Sequence, residues 1–285
     1  MVLEQIYSVG LLKKKPIYTL LLGINYSLIG LGASLIMFPE DPALVAVAIT
    51  SILFLPSLYK LAIIEEKKER KDKRFSIVRL LILQKQFIKV YLYAFFGVFV
   101  VFSFFALILP TLAVNHLFRE QMSVFSSVGG AFFSNKLFYG ILLNNLKILF
   151  LCFIVSFILG NGAIFIITWN ASVWGTIFGN LAKTAALSVG KSPFIYFILI
   201  ITSVFPHMFF EISAYILAII SGTLISEGFL RERFGSERFN SVVRDNIFLL
   251  FVGLGLLLLG AVIETYAINN IVTYKVIIKQ FLRAA

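Results

Sequence analysis

His207 and Glu211 stand four residues apart in Val204–Gly222, VFPHMFFEISAYILAIISG, an otherwise apolar run, and Tyr215 follows four residues later. On a helix this spacing puts all three side chains on one face, within reach of one another. An imidazole and carboxylates are ligand types that zinc or a similar divalent ion takes, with amides as weak or supporting oxygen groups. His207, Glu211 and a second apolar-run carboxylate, Glu264, are therefore the candidate metal ligands, and Asn145, Asn170 and Tyr215 the supporting polar residues. The same side chains could instead form a hydrogen-bonded packing cluster or a proton or ion relay. A bare carboxylate at the centre of a bilayer costs on the order of several kcal/mol, so each must be protonated, paired with His207 or bound to a cation. No HExxH motif occurs and no aspartate lies in an apolar run, which leaves no zincin signature and no serine-histidine-aspartate triad at depth. No catalytic residue can be named on these grounds.

The elements that must position these residues follow from composition. Hydrophobic residues make up 60% of the chain, mean hydropathy is +0.96 and only 14% of residues are charged, against about 25% in an average soluble domain. Several apolar runs reach the roughly 20 residues that a helix needs to cross a hydrocarbon core. They lack the alternating pattern of lumen-facing strands, so the expected fold is all-α, a polytopic transmembrane helical bundle of six or seven spans. The formal charge of +11 clusters beside the apolar runs, with no zinc-finger spacing or RNP-like motif. It speaks for topology and a grip on lipid headgroups, and against nucleic acid. Cys152 is the only cysteine, so an intramolecular disulfide is impossible.

In chain order, Lys13, Lys14 and Lys15 precede the run Pro16 to Phe38, which predicts a multi-pass protein of the plasma membrane with a cytoplasmic N-terminus. An acidic outside turn, Pro39-Glu40-Asp41-Pro42, leads into a second run, and residues 1–64 read as a transmembrane hairpin. Residues 65–89, rich in mixed charge, read as a solvated basic cytoplasmic linker helix, and residues 90–285 as the main membrane domain. Its first span is Tyr91 to Leu109. Thr111 to Asn135 reads as an outside loop with a solvated His116. Lys136 to Trp169 is too long for one ordinary crossing, and Asn170, an N-cap type, predicts a new helix beginning at membrane depth, with Gly175 and Gly179 allowing close helix approach. The end of that helix, near Lys183 and Lys191, reads as cytoplasmic. Pro206 predicts a second break, so broken or re-entrant helices are expected around Asn170 and Pro206. Glu227 to Asp245 reads as a solvated connector before the last span, Ile247 to Ile268.

From about Lys89 to the end the chain resembles the stage II sporulation protein M family. The resemblance lies in Asn144-Asn145, in Asn170 with Gly175, in Pro206-His207 followed by Glu211, Ala214 and Gly222, and in GAVIETY around Glu264. Met208 stands where that family usually has glycine. The resemblance implies a multi-pass membrane protein that organises a complex, recruiting peptidoglycan-degrading partners during engulfment in endospore formers, without being the hydrolase itself. The expected function is thus a membrane scaffold that contacts lipids, other membrane proteins and a second copy as a homo-dimer, using small-residue helix faces. The alternatives are an intramembrane metal-dependent hydrolase, with Glu211 or Glu264 as general base on metal-bound water, and the membrane subunit of a transporter.

Overall fold

The structure, a computed structural model, describes residues 15–69, 77–128 and 137–271. Expectations that rest on Lys13, Lys14, Arg70, Lys71, Lys73, Arg74, Gly129, Gly130, Lys275, Lys279 and Arg283 lie outside the described residues. Within them the chain forms helices and no strand: α1 (Ile17–Met37), α2 (Pro42–Glu69), α3 (Ile77–Ile108), the short α4 (Thr111–Leu117) and α5 (Arg119–Val128), α6 (Leu137–Leu159), α7 (Ile164–Leu187), α8 (Pro193–Arg231) and α9 (Glu237–Asn270). Six segments are long and apolar enough to cross a membrane, the fourth being the 51-residue stretch Leu137–Leu187. That stretch is divided by a 3-10 turn, Gly160–Ala163, which Gly160 opens at φ +56°. A side chain is disfavoured at such an angle, so glycine is the residue that lets the chain turn there. At 1.5 Å per residue each half is about 35 Å long, enough for a core of about 30 Å.

Helix directions follow from the contacts. Thr50 of α2 donates to the Tyr26 carbonyl of α1 at 3.3 Å, and Tyr26 packs edge-on against Phe54, with ring centroids 5.1 Å apart. Helices α3 and α7 run parallel and nearly backbone to backbone. A Cβ added at Gly175 would stand 2.7 Å from the Phe99 carbonyl oxygen, and one at Gly179 would stand 2.7 Å from that of Ser103. Such small-residue seams replace the hydrophobic driving force that lipid removes. Asn145 meets Glu211 and Gly222 meets Ser156, so α6 and α8 also run parallel. Gly260 meets Glu211 whereas Gly253 meets Ala214, so α8 and α9 run antiparallel.

The N-terminal hairpin packs against the rest of the bundle: a Cβ at Gly23 of α1 would come within 2.9 Å of the Ala94 carbonyl of α3, and Leu22, Phe54 and Tyr91 belong to one buried core. Several expectations are corrected. The third span begins at Gln84 rather than Tyr91, with Gln84 and Phe87 buried although they fall in the segment read as a solvated linker. The supposed outside loop holds α4 and α5, whose Gln121 is buried and donates to Ser172 of α7 at 3.3 Å. Asn170 lies inside α7 and opens no helix; its amide donates to the Ile166 carbonyl one turn back, and the break falls at Gly160 instead. Pro206 lies inside the uninterrupted α8. Within a bilayer the carbonyl that proline leaves unpaired is tolerated in a helix packed among others. The connector after α8 shrinks to residues 232–236, where Ser236 caps α9 by accepting from the Phe239 amide at 3.2 Å.

Lys183 overturns one piece of topology. It is buried, and its ammonium donates to the Leu109 carbonyl at 2.8 Å, so it caps the end of α3 instead of marking a cytoplasmic loop. The end of α7 therefore shares a side with the end of α3 and with the α1–α2 turn, whose Pro39 carbonyl contacts His116 Nε2 at 2.8 Å. Cysteines placed at Asp41 and Gly190 are expected to react with an impermeant thiol reagent from one side of the membrane, and those at Lys67 and Gly235 from the other. With the N-terminus inside, Lys67 labels from the cytoplasm. Reaction of Gly190 and Lys67 from the same side would overturn this arrangement. The buried Cys152 keeps the background low.

Candidate functional site: a polar cluster in a membrane-depth cavity

The reversal at Gly160 sends α6 and α7 down different flanks of α8, and the wedge between them is a partly open cavity of about 300 Å³. Asn144, Asn145, Ile148 and Leu151 line it from α6, Trp169, Asn170, Val173 and Trp174 from α7, His207 and Glu211 from α8, and Glu264 from α9. Trp174 is held in that wall by an edge-on contact with Phe95 of α3, with ring centroids 5.6 Å apart.

One amide ties the polar residues together. Asn145 Nδ2 donates to Glu211 Oε1 at 2.8 Å, and its Oδ1 accepts from the Tyr215 hydroxyl at 3.1 Å. Asn145, Glu211 and Tyr215 are all buried. The partly buried Glu264 side chain reaches the carboxyl group of Glu211 from α9 within hydrogen-bonding range. Two carboxyl groups that close hold a proton or a cation between them, since two bare charges would repel. His207 is buried, with Nδ1 lacking a hydrogen-bond partner among the described residues, and Asn170 spends an amide hydrogen on its own helix. The structure thus brings Asn145, Glu211, Tyr215 and Glu264 into one cluster, and puts His207 and Asn170 on the same cavity without joining them to it.

The fit to a metal follows from this. Among the described residues no group of three or more His, Cys, Asp and Glu side chains is placed to hold a metal ion. The donors that do converge are two carboxyl groups, short of the roughly three protein ligands of a catalytic zinc. Gly253, Gly255 and Gly260 in the last span read from the sequence as permitting tight packing, but the part Gly260 plays beside Glu211 was not foreseen. A Cβ there would sit 3.1 Å from Glu211 Cγ and 3.5 Å from the His207 carbonyl oxygen, so the absence of a side chain makes room for the Glu211 carboxyl. Its position one turn before Glu264 was the available signal. The two tryptophans were also missed, because nothing in their spacing marks a cavity.

Helical spans enclosing a buried carboxyl-amide cluster define a polytopic α-helical membrane protein with an internal polar site. No curated protein and no solved structure matches the chain. The sequence model of the family described as stage II sporulation protein M matches residues 92–267, well over half of the chain, and the protein belongs to that family. The match begins inside α3, so α1 and α2 lie outside the shared part while packing directly upon it.

Proposed function

We propose that this chain is a scaffold of the plasma membrane that organises other membrane proteins, and that its polar cluster serves the scaffold by locking α6, α8 and α9 together. The observation that supports this reading is the double commitment of the Asn145 amide, one end to Glu211 and the other to Tyr215. A polar group satisfied on both sides fixes register between helices at membrane depth. Gly175, Gly179 and Gly222 are already in contact within the chain, whereas Gly32, Gly140 and Gly255 have nothing against them among the described residues. Partners, including a second copy, would meet the outer faces of the bundle. Cross-linking in the native membrane followed by purification in mild detergent is expected to recover a defined set of membrane proteins in fixed ratio, and Glu211→Gln is expected to leave that set unchanged. Recovery of the chain alone would sink the scaffold reading.

The adjoining Glu211 and Glu264, with His207 on the same cavity and its buried Nδ1 without a hydrogen-bond partner among the described residues, support a second reading, a divalent cation in the cavity and, with it, an intramembrane hydrolase. Elemental analysis of the purified protein separates the two. Less than about a tenth of an equivalent of zinc or any other divalent metal is the expected result. A stoichiometric ion that His207→Ala or Glu211→Gln removes would replace the packing reading with the metal one.

A further inference from the structure

Beside the carboxyl groups of the polar cluster, most of the cavity wall is apolar and aromatic, including Ile148, Leu151, Trp169, Val173, Trp174 and Phe178. We propose that the cavity binds a single-chain amphiphile with a primary ammonium head, its tail lying along the tryptophan wall and its head donating hydrogen bonds to Glu211 and Glu264.

Two observations on this side of the bundle choose the head. Asn145 is committed to Glu211 and to Tyr215, so the polar side chains left lining the cavity are the neutral amides of Asn144 and Asn170, the buried His207 and the two carboxyl groups, which are the only acids there among the described residues. Among the described residues lining the cavity there is no lysine or arginine, and Lys147, on α6, is exposed and contributes nothing to the lining. An anionic headgroup would meet two carboxyl groups with no lysine or arginine to offset them, whereas an ammonium meets acceptors. Volume and access choose the tail. A cavity of about 300 Å³ is at the small end for ligand sites, room for one chain rather than two. Asn144 and Leu151 at its α6 edge are exposed, Leu151 by 50%, so an apolar tail can enter sideways from between acyl chains. Whether the head comes from a membrane-derived amine or a soluble one, the recognised chemistry is the same.

Trp169 and Trp174 are the only two tryptophans in the chain and both line the cavity, so intrinsic fluorescence reports on its contents. The full-length protein in liposomes is titrated with decylamine and, at matched partitioning, with decanoate. Decylamine is expected to shift the emission saturably and to raise the thermal midpoint, with decanoate doing neither. Glu264→Gln is expected to raise the decylamine midpoint about tenfold or more. Ile177→Phe, which narrows the cavity without touching a carboxyl group, is expected to weaken the response similarly and guards against a Glu264 variant that misfolds. A linear, unsaturable response, an equal response to decanoate, or an unchanged midpoint in both variants would overturn the proposal. The proposal stands on the cavity alone, so its outcome is independent of whether partners co-purify.

Discussion

Gly222→Leu is expected to remove the folded bundle, with the protein recovered as aggregate or with an apparent Tm too low to measure. Gly222 is fully packed where α8 crosses α6. A Cβ there would collide with the Ser156 hydroxyl and the Phe153 carbonyl and come within 3.0 Å of the Phe157 nitrogen. Two of these atoms are backbone, so no rotamer change relieves the clash and the helices must separate. Overpacking a well-filled core costs about 1–3 kcal/mol and occasionally more. Here the separation also pulls apart the two hydrogen bonds that tie Asn145 of α6 to Glu211 and Tyr215 of α8, so the upper end of that range or beyond is expected, about 3 kcal/mol or more. Gly222→Ala should show the same direction at reduced size. Fluorescence-detected size-exclusion after a temperature ramp reads both, and a leucine variant with wild-type Tm would mean that α6 and α8 do not meet at this seam.

Asn145→Leu comes next in size, with an expected loss of about 2–6 kcal/mol from two buried groups that each lose a partner at about 1–3 kcal/mol. The bonds themselves decide less. Interhelical hydrogen bonds in membranes average about 0.6 kcal/mol, because the unfolded helices also find partners in the bilayer. Most of the effect should therefore come from the buried Tyr215 hydroxyl and the buried Glu211 carboxyl, which both lose the amide as a partner. That attribution has its own check. Adding Tyr215→Phe to Asn145→Leu removes one stranded group, so the double variant should be more stable than the sum of the single losses, by about 1 kcal/mol. Strict additivity would show that Asn145 and Tyr215 do not interact.

Much of this architecture was legible before any coordinates. Run length, the near absence of charge within runs and the helical spacing of His207, Glu211 and Tyr215 require an all-helical membrane bundle with polar side chains turned inward, since lipid offers them nothing. The breaks were misplaced because Asn170 and Pro206 are local signals that a packed bundle overrides. Asn170 finds the Ile166 carbonyl inside its own helix, and Pro206 sits in a helix that continues through it. Lys183 misled in the opposite sense. A lysine near the end of an apolar run ordinarily reaches for headgroups, whereas this one is satisfied by a carbonyl from α3 that lies 74 residues away in the chain.

By itself the sequence determined what kinds of group must be buried and that they must be satisfied in company, because hydropathy and the cost of polar groups in oil are properties of residues alone. Which of them meet was decided only by the tertiary structure. Asn145, Glu211 and Glu264 come from three helices whose relative depth and rotation depend on seams such as Gly222 against Ser156 and Gly260 against Glu211. Those seams depend in turn on the three-dimensional fit of backbones, and periodicity along one helix carries no information about the height at which its neighbour will stand.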